Sequence, residues 1–169
     1  MTNFPLRRLR LRPGEEHREA IAVQLEPFVL GGERYLAVPA APEADVAIAR
    51  ATSGDVFRLC FETRIHGLCM RCLEDAVLDV AIDAQEYNAV DGASDTELRT
   101  EYVVDDQLLL STWARDAIAL RLPEQIVCRA DCAGLCPVCG KDLNREPHMH
   151  EEEVVDSRWG ALEALKDEL

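Results

Sequence analysis

The chain has 169 residues, 48% of them hydrophobic and 5% aromatic, which is enough for one domain, or one domain with a small appendage, around an aliphatic core. The formal net charge of −14 opposes bulk binding to nucleic acid and favours basic partners, so any RNA contact would need a local patch. No apolar run approaches the ~20 residues that span a bilayer, and no signal-type apolar segment follows the first arginines. We therefore expect a cytoplasmic protein without membrane contact.

The first half of the chain predicts antiparallel β-strands. Apolar and polar residues alternate there with a period of two, which is typical of strands with one buried and one solvated face. The alternation covers residues 21–26, 45–49, 57–65 and 78–85. Gly, Pro and Ser breakers separate these segments, and the turn Cys69-Met-Arg-Cys72 falls between the last two. This turn is expected at the tip of a long hairpin.

The second half predicts helices around a Cys/His segment. Residues 88–106 are acidic and break the strand pattern, which favours a mobile loop. Apolar residues then recur at helical spacing from Leu109 to Leu120, with Asp105 or Asp106 as the expected cap and Pro123 beyond the end. A last helix is expected to begin near Asp156 or Ser157.

These elements together predict an α+β fold. We expect an antiparallel, strand-rich, barrel-like body with one packed helix over residues 1–125. A zinc-knuckle module and a C-terminal helix would follow over residues 126–169.

Six of the seven cysteines and two of the four histidines fall into four close pairs, the spacing at which side chains most readily share a metal ion. Paired cysteines in a reducing compartment favour metal over disulfides, and an odd count fits a complete disulfide set poorly. The segment Cys136-Pro-Val-Cys139-Gly140 has the form of a zinc knuckle, in which glycine relieves the sharp bend. In chain order the pairs are Cys69/Cys72, Cys128/Cys132, Cys136/Cys139 and His148/His150.

Eight candidate ligands suit two tetrahedral sites, so one or two Zn²⁺ ions are expected. In the preferred arrangement, the first site is formed by Cys69, Cys72, Cys128 and Cys132. The second site is formed by Cys136, Cys139, His148 and His150. The first site would pin the hairpin tip to the segment after the helix, and the second would be a local finger. Two alternatives stay open. A single site could use Cys128 or Cys132, the third pair and one histidine, or the two knuckles could join in one ribbon.

Signals for catalysis are weak. Glu151 and Glu152 follow the histidine pair and could serve a catalytic zinc as a base, but acidic residues are common in this chain. The sequence has no Gly-rich phosphate loop, no Gly-x-Ser-x-Gly and no zincin helix. We expect no enzyme activity. A metal-dependent enzyme acting on RNA or nucleotides, or a redox- or zinc-responsive interaction module, remains the alternative.

Several segments in fixed order resemble one known family. They are the turn at 69–72, Glu101-Tyr102, the helix running into Leu122-Pro123, the segment from Cys128 to Gly140 with Asn144 after it, and Asp156-Ser-Arg-Trp-Gly-Ala-Leu. This series resembles the YceD family of large ribosomal RNA subunit accumulation proteins, over roughly residues 20–169. Members often carry Cys-x-Cys where this chain has His148-Met149-His150, so the identity of each ligand in that pair stays open.

The resemblance implies a non-enzymatic factor that supports synthesis, processing or stability of large-subunit ribosomal RNA, with no catalytic residues to carry over. The acidic composition then favours a basic ribosomal protein or assembly factor as partner. The acidic segment 91–106 is the candidate protein contact. Four N-terminal arginines are the candidate for local contact with large-subunit rRNA, namely Arg7, Arg8, Arg10 and Arg12.

Overall fold

The computed structural model describes residues 1–89 and 98–150. The chain divides into two compact units, residues 1–132 and residues 133–169, the second described as far as residue 150. The first unit contains a helix, α1 (Leu110–Arg121), and a short 3₁₀ turn, Leu6–Arg8. Its strands are β1 (Phe4–Pro5), β2 (Glu16–Ala22), β3 (Phe28–Leu30), β4 (Glu33–Val38), β5 (Glu43–Arg50), β6 (Gly54–Leu68), β7 (Asp75–Ala89), β8 (Val103–Val104) and β9 (Gln107–Leu108).

The larger sheet is built around the β6–β7 hairpin. Its two strands pair antiparallel from Gly54 opposite Ala89 to Leu68 opposite Asp75. The other edge of β6 pairs with β5 and, nearer the hairpin tip, with β4, so the strand order is β2-β5-β6-β4-β3 with β7 beside β6. A smaller sheet has the order β1-β9-β8.

The core lies on one face of the larger sheet. Alternation along β6 buries Phe57, Leu59 and Ile65 completely, while Arg58 and Glu62 project from the opposite, outer face. The buried residues of α1 recur every three or four positions, so a single helix face joins the core. That face consists of Leu110, Trp113, Ala114 and Ile118.

The predicted α+β class, the antiparallel strands and the packed helix are confirmed, but the barrel-like closure is wrong. Among the described residues β2 pairs with β5 alone and β7 with β6 alone, so the larger sheet stays open. The predicted strand at 21–26 also ends early, at Ala22. Val23 and Leu25 are still buried, and their N–H groups donate to the carbonyls of Pro42 and Ala40.

The helix cap and the acidic loop require correction. Asp105 and Asp106 have positive φ angles of 50° and 59° and form the two-residue turn between β8 and β9. They therefore do not cap α1, whose N-cap position is Leu109 with no side-chain hydrogen bond. The loop expected over 88–106 is wrong at both ends, because β7 reaches Ala89 and β8 begins at Val103. Residues 90–97 lie outside the described part.

The expected C-terminal helix also falls outside the described residues. Within the described ranges, no helix combines the length and apolarity that crossing a membrane requires.

Candidate metal centres

The two Cys-x-x-Cys turns have the same backbone hydrogen bonds. In the first, the N–H of Cys69 donates to the carbonyl of Glu74 at 2.8 Å, and the N–H of Leu73 donates to the carbonyl of Cys69 at 2.9 Å. In the second, the N–H of Cys136 donates to the carbonyl of Lys141, and the N–H of Gly140 to that of Cys136, both at 2.8 Å. The sequence therefore builds one ligand-presenting turn twice.

The first turn lies at the tip of the β6–β7 hairpin, as predicted. The segment that follows α1 is tied to this tip, because the N–H of Met70 donates to the carbonyl of Ile126 at 2.9 Å. The guanidinium of Arg71 adds a bond from Nη1 to the carbonyl of Cys132 at 3.0 Å. Ala76 and Ile126 are buried against the cysteines in a small apolar cluster. These contacts hold the 126–132 segment beside the hairpin tip.

Four sulfur atoms meet at this junction, which we call the first cluster: Cys69, Cys72, Cys128 and Cys132. The Sγ atoms of Cys69 and Cys132 are 3.8 Å apart, and those of Cys72 and Cys128 are 3.6 Å apart. All four ligand atoms lie within 4.8 Å of one another, so the cluster could hold a metal ion.

The first cluster contains thiols with opposite pKa shifts. Burial raises the pKa of Cys69, but backbone N–H bonds from Cys128, Cys72 and Arg71 outweigh it and lower the pKa to about 6. Loss of water around its sulfur, with hydrogen bonds to the other three sulfurs, raises the pKa of Cys128 to about 12. One thiolate in this group makes its neighbours retain their protons, because like charges so close repel. A bound cation would remove that repulsion and let the other thiols ionise.

The second cluster lies in the second unit: Cys136, Cys139, His148 and His150. The Sγ of Cys139 is 3.1 Å from Nε2 of His148, and the two imidazole rings meet edge to face with centroids 4.9 Å apart. The four ligand atoms again lie within 4.8 Å of one another. This cluster could therefore also hold a metal ion.

Hydrogen bonds prepare two ligands of the second cluster. The backbone N–H groups of Cys139 and Val138 outweigh desolvation and lower the pKa of Cys136 to about 6, which favours the thiolate that metals bind. Nδ1 of His148 lies 2.7 Å from the carbonyl of Glu146. Nδ1 must carry the proton in that bond, so in the neutral ring Nε2 is free to act as the ligand atom. The same carbonyl raises the pKa of His148.

The structure thus brings together the eight predicted ligands in the preferred grouping of the four pairs. Their role as ligands stays a prediction. The seventh cysteine, Cys60, projects from the outer face of β6, and its thiol donates to Asp83 at 3.3 Å. Glu151 and Glu152 lie outside the described residues.

Sequence reasoning missed residues that support the clusters through the backbone. Nothing in the sequence pattern singles out Arg71, although its side chain binds the Cys132 carbonyl. Asn144 belongs to the family resemblance, which does not reveal its contacts. Its Oδ1 accepts a hydrogen bond from the N–H of Ala133 at 2.8 Å. The backbone N–H and the side-chain amide of Asn144 both donate to Oδ1 of Asp142. A polar residue just after a knuckle is the signal that could have identified this brace.

Comparison with known proteins finds a matching family. Residues 57–166, about two thirds of the chain, match the family described as "Large ribosomal RNA subunit accumulation protein YceD". The chain belongs to the YceD family. The match includes both clusters, α1 and all but the first three residues of the β6–β7 hairpin. The family description links YceD proteins to accumulation of large-subunit ribosomal RNA.

The relatives found are mycobacterial proteins named as uncharacterized. One from Mycobacterium tuberculosis (strain ATCC 25618 / H37Rv) is 40% identical over 101 residues, covering 57% of this chain and 48% of its own. One from Mycobacterium leprae (strain TN) is 34% identical over 99 residues, covering 56% and 45%. The chain thus spans about half the length of the curated relatives it matches. No solved structure matches it.

Proposed function

We propose that this YceD protein is a non-enzymatic, zinc-binding factor of the cytoplasm that supports accumulation of large-subunit ribosomal RNA through contacts with a basic protein. The family supplies the link to ribosomal RNA. The observation that carries the zinc assignment is the spacing of the ligand atoms in the first cluster.

The sulfur spacing fits Zn²⁺. Four ligands at a Zn–S distance of about 2.3 Å lie at the corners of a tetrahedron whose edges are roughly 3.8 Å long. The Sγ–Sγ distances of 3.8 Å and 3.6 Å are close to that edge. Four thiolates, or two thiolates with two imidazoles, are also the donor sets typical of structural zinc. Both clusters therefore suit Zn²⁺ in ligand type, and the first suits it in distance.

The ligand count supports a structural role for the metal. A catalytic zinc keeps one position open for water or substrate and commonly has three protein ligands. Each cluster here offers four ligand atoms from the protein, and in the first all four are sulfur. Zinc in such sites would tie segments together. An enzyme using Glu151 or Glu152, and a redox-responsive module, stay alternative predictions.

The charge distribution supports a protein partner over RNA. The net charge of −14 attracts basic proteins and repels phosphate. The N-terminal arginine group is also partly neutralised, since Nε of Arg7 lies 2.6 Å from Oδ2 of Asp106. A basic large-subunit protein or assembly factor is therefore the proposed partner, and any rRNA contact would be local.

Affinity purification tests this function. The chain, tagged at its N-terminus and expressed in cells, should co-purify with large-subunit ribosomal proteins identified by mass spectrometry. A Cys72→Ser variant should recover less of them if the metal-bound fold makes the contact, and Cys60→Ser serves as the matched control. Recovery of no large-subunit component by the wild-type chain would contradict the proposal.

A further inference from the structure

The first turn contains a leucine where the second contains a glycine. Leu73 and Gly140 each follow the second cysteine of a knuckle, donate the same backbone hydrogen bond, and have positive φ angles of 61° and 72°. Glycine adopts this left-handed conformation freely. In any other residue the conformation is destabilised, because Cβ comes too close to the carbonyl oxygen. Leucine is thus a costly residue at this position.

Burial of the Leu73 side chain does not offset that cost. The side chain of Leu73 is not part of the apolar cluster around the cysteines, and the residue is 59% exposed. A residue that is strained in the backbone and solvated in the side chain points to a role other than stability. Binding to a partner is the role that an exposed leucine suits.

Three other exposed apolar residues belong to the same hairpin tip as Leu73. We call Leu68, Met70, Leu73 and Val77 the tip patch; they are 42%, 53%, 59% and 49% exposed. Leu68 pairs with Asp75, and His66 pairs with Val77, so Leu68 and Val77 are diagonal neighbours on the outer face of the sheet. The cysteines of the first cluster anchor this tip from within, since Cys69 and Cys72 are buried.

The charges at the tip indicate the kind of partner. Two exposed carboxylates, Glu74 and Asp75, lie within the same ten residues as a single cation, Arg71, which keeps its charge while it donates to the carbonyl of Cys132. A second copy of this chain would bring its own carboxylates and its net charge of −14 to the contact. RNA would meet a patch without aromatic rings for base stacking. A protein segment with apolar side chains beside lysines or arginines complements the patch.

We infer that the tip patch is a docking surface for an apolar and basic segment of a large-subunit ribosomal protein or assembly factor. This inference rests on the proposed function for the identity of the partner. It locates the contact at the metal-anchored hairpin tip and assigns Leu73 the part of central anchor. The acidic segment 91–106 is not needed for it.

The decisive variant is Leu73→Gly, because it relieves the strain while removing the side chain. Its thermal midpoint should equal or exceed that of the wild type, and its recovery of large-subunit proteins should fall about tenfold, as expected for loss of one interface anchor. The control is Leu120→Ser, which removes another exposed leucine side chain. Leu120 lies on α1, is 90% exposed and is far along the chain from the tip. Serine is used there because glycine would destabilise the helix. This control should recover partners as the wild type does.

A photo-crosslinking residue, p-benzoylphenylalanine at position 73, identifies the occupant. A crosslink to a basic large-subunit protein or assembly factor, absent with the probe at position 120, supports the inference. A crosslink to a second copy of the chain or to RNA overturns it. Equal recovery by Leu73→Gly and wild type, or a lower midpoint for Leu73→Gly, overturns the docking surface but leaves the proposed function standing. Failure of the wild type to recover any large-subunit protein removes both.

Discussion

The first cysteine of each knuckle has a lowered pKa, about 6 for both Cys69 and Cys136. In each turn the N–H groups of the second cysteine and of the residue before it donate to that sulfur, and at Cys69 the N–H of Cys128 adds a bond from outside the turn. The Cys-x-x-Cys spacing predicts only the bonds within the turn, because such a turn brings those N–H groups inward. The pKa of Cys128 is raised because its sulfur is desolvated and bonded to other sulfurs, among them that of Cys72. Cys72 lies 56 positions earlier in the chain, so no local pattern predicts this shift.

The glycine of the second knuckle should be measurably important. Gly140 has a φ angle of 72°, and a Cβ added to it would meet nothing within 4 Å, so the cost of Gly140→Ala is purely conformational. We expect a loss of about 1 kcal/mol, which is roughly fivefold weaker metal binding by the second cluster. Chelator competition on this variant measures the loss, with Val138→Ala, at an exposed residue of the same turn, as control. An unchanged affinity would refute the conformational argument.

A surface ion pair on the sheet predicts a pH dependence. Nε and Nη2 of Arg58 donate to the carboxylate of Asp83 at 2.8 Å and 2.7 Å. Those bonds, with one from the Cys60 thiol, lower the pKa of Asp83 from 3.8 to about 2. A lowered carboxylate pKa contributes stability above about pH 4, and that contribution is lost as the pH falls through about 2. Because the pair is solvated, the contribution to stability is small.

Carboxyl NMR titration tests this pair. In Arg58→Gln the pKa of Asp83 should rise toward 3.8, stopping short of it where the Cys60 thiol still donates. Arg34→Gln, on β4, should leave the pKa of Asp83 at its wild-type value. A pKa near 3.8 in the wild-type chain would show that the ion pair does not form in solution.

Elements with strong periodicity could be predicted from the sequence, and short ones could not. The alternation over 57–65 and 78–85 located the two 15-residue strands and their hairpin tip. Strands β1, β3, β8 and β9 have two or three residues each, too few for a period to show. The start of α1 was misjudged because Asp105 and Asp106 suit both a helix cap and a tight hairpin turn, and the pairing of β8 with β9 decides between them.

Helix α1 offers a matched pair of variants. Trp113 is 2% exposed and stacks on Tyr102 with ring centroids 6.0 Å apart, whereas Leu120 is 90% exposed. We expect Trp113→Ala to reduce the free energy of unfolding by about 3–5 kcal/mol, through lost burial and a cavity. Leu120→Ala should change it by about 0.5 kcal/mol or less. Urea unfolding of the metal-loaded protein measures both, and similar losses would contradict the core described above.

At the scale of the whole molecule, the described part of each compact unit contains one four-ligand cluster. The first cluster joins residues of a hairpin tip to a segment more than 50 positions later, while the second is built within a 15-residue stretch. Sequence spacing could suggest the pairs, and only the fold determines which pairs meet. The central claim is that the two clusters bind metal independently, each within its own unit.

Native mass spectrometry of the zinc-loaded chain tests that claim most directly. The wild type should bind two Zn²⁺, and Cys72→Ser and Cys139→Ser should each bind one, because each substitution removes a ligand from a different cluster. Cys60→Ser, which touches neither cluster, should still bind two. A wild-type chain with a single Zn²⁺, or loss of both ions on either cluster substitution, would contradict the account.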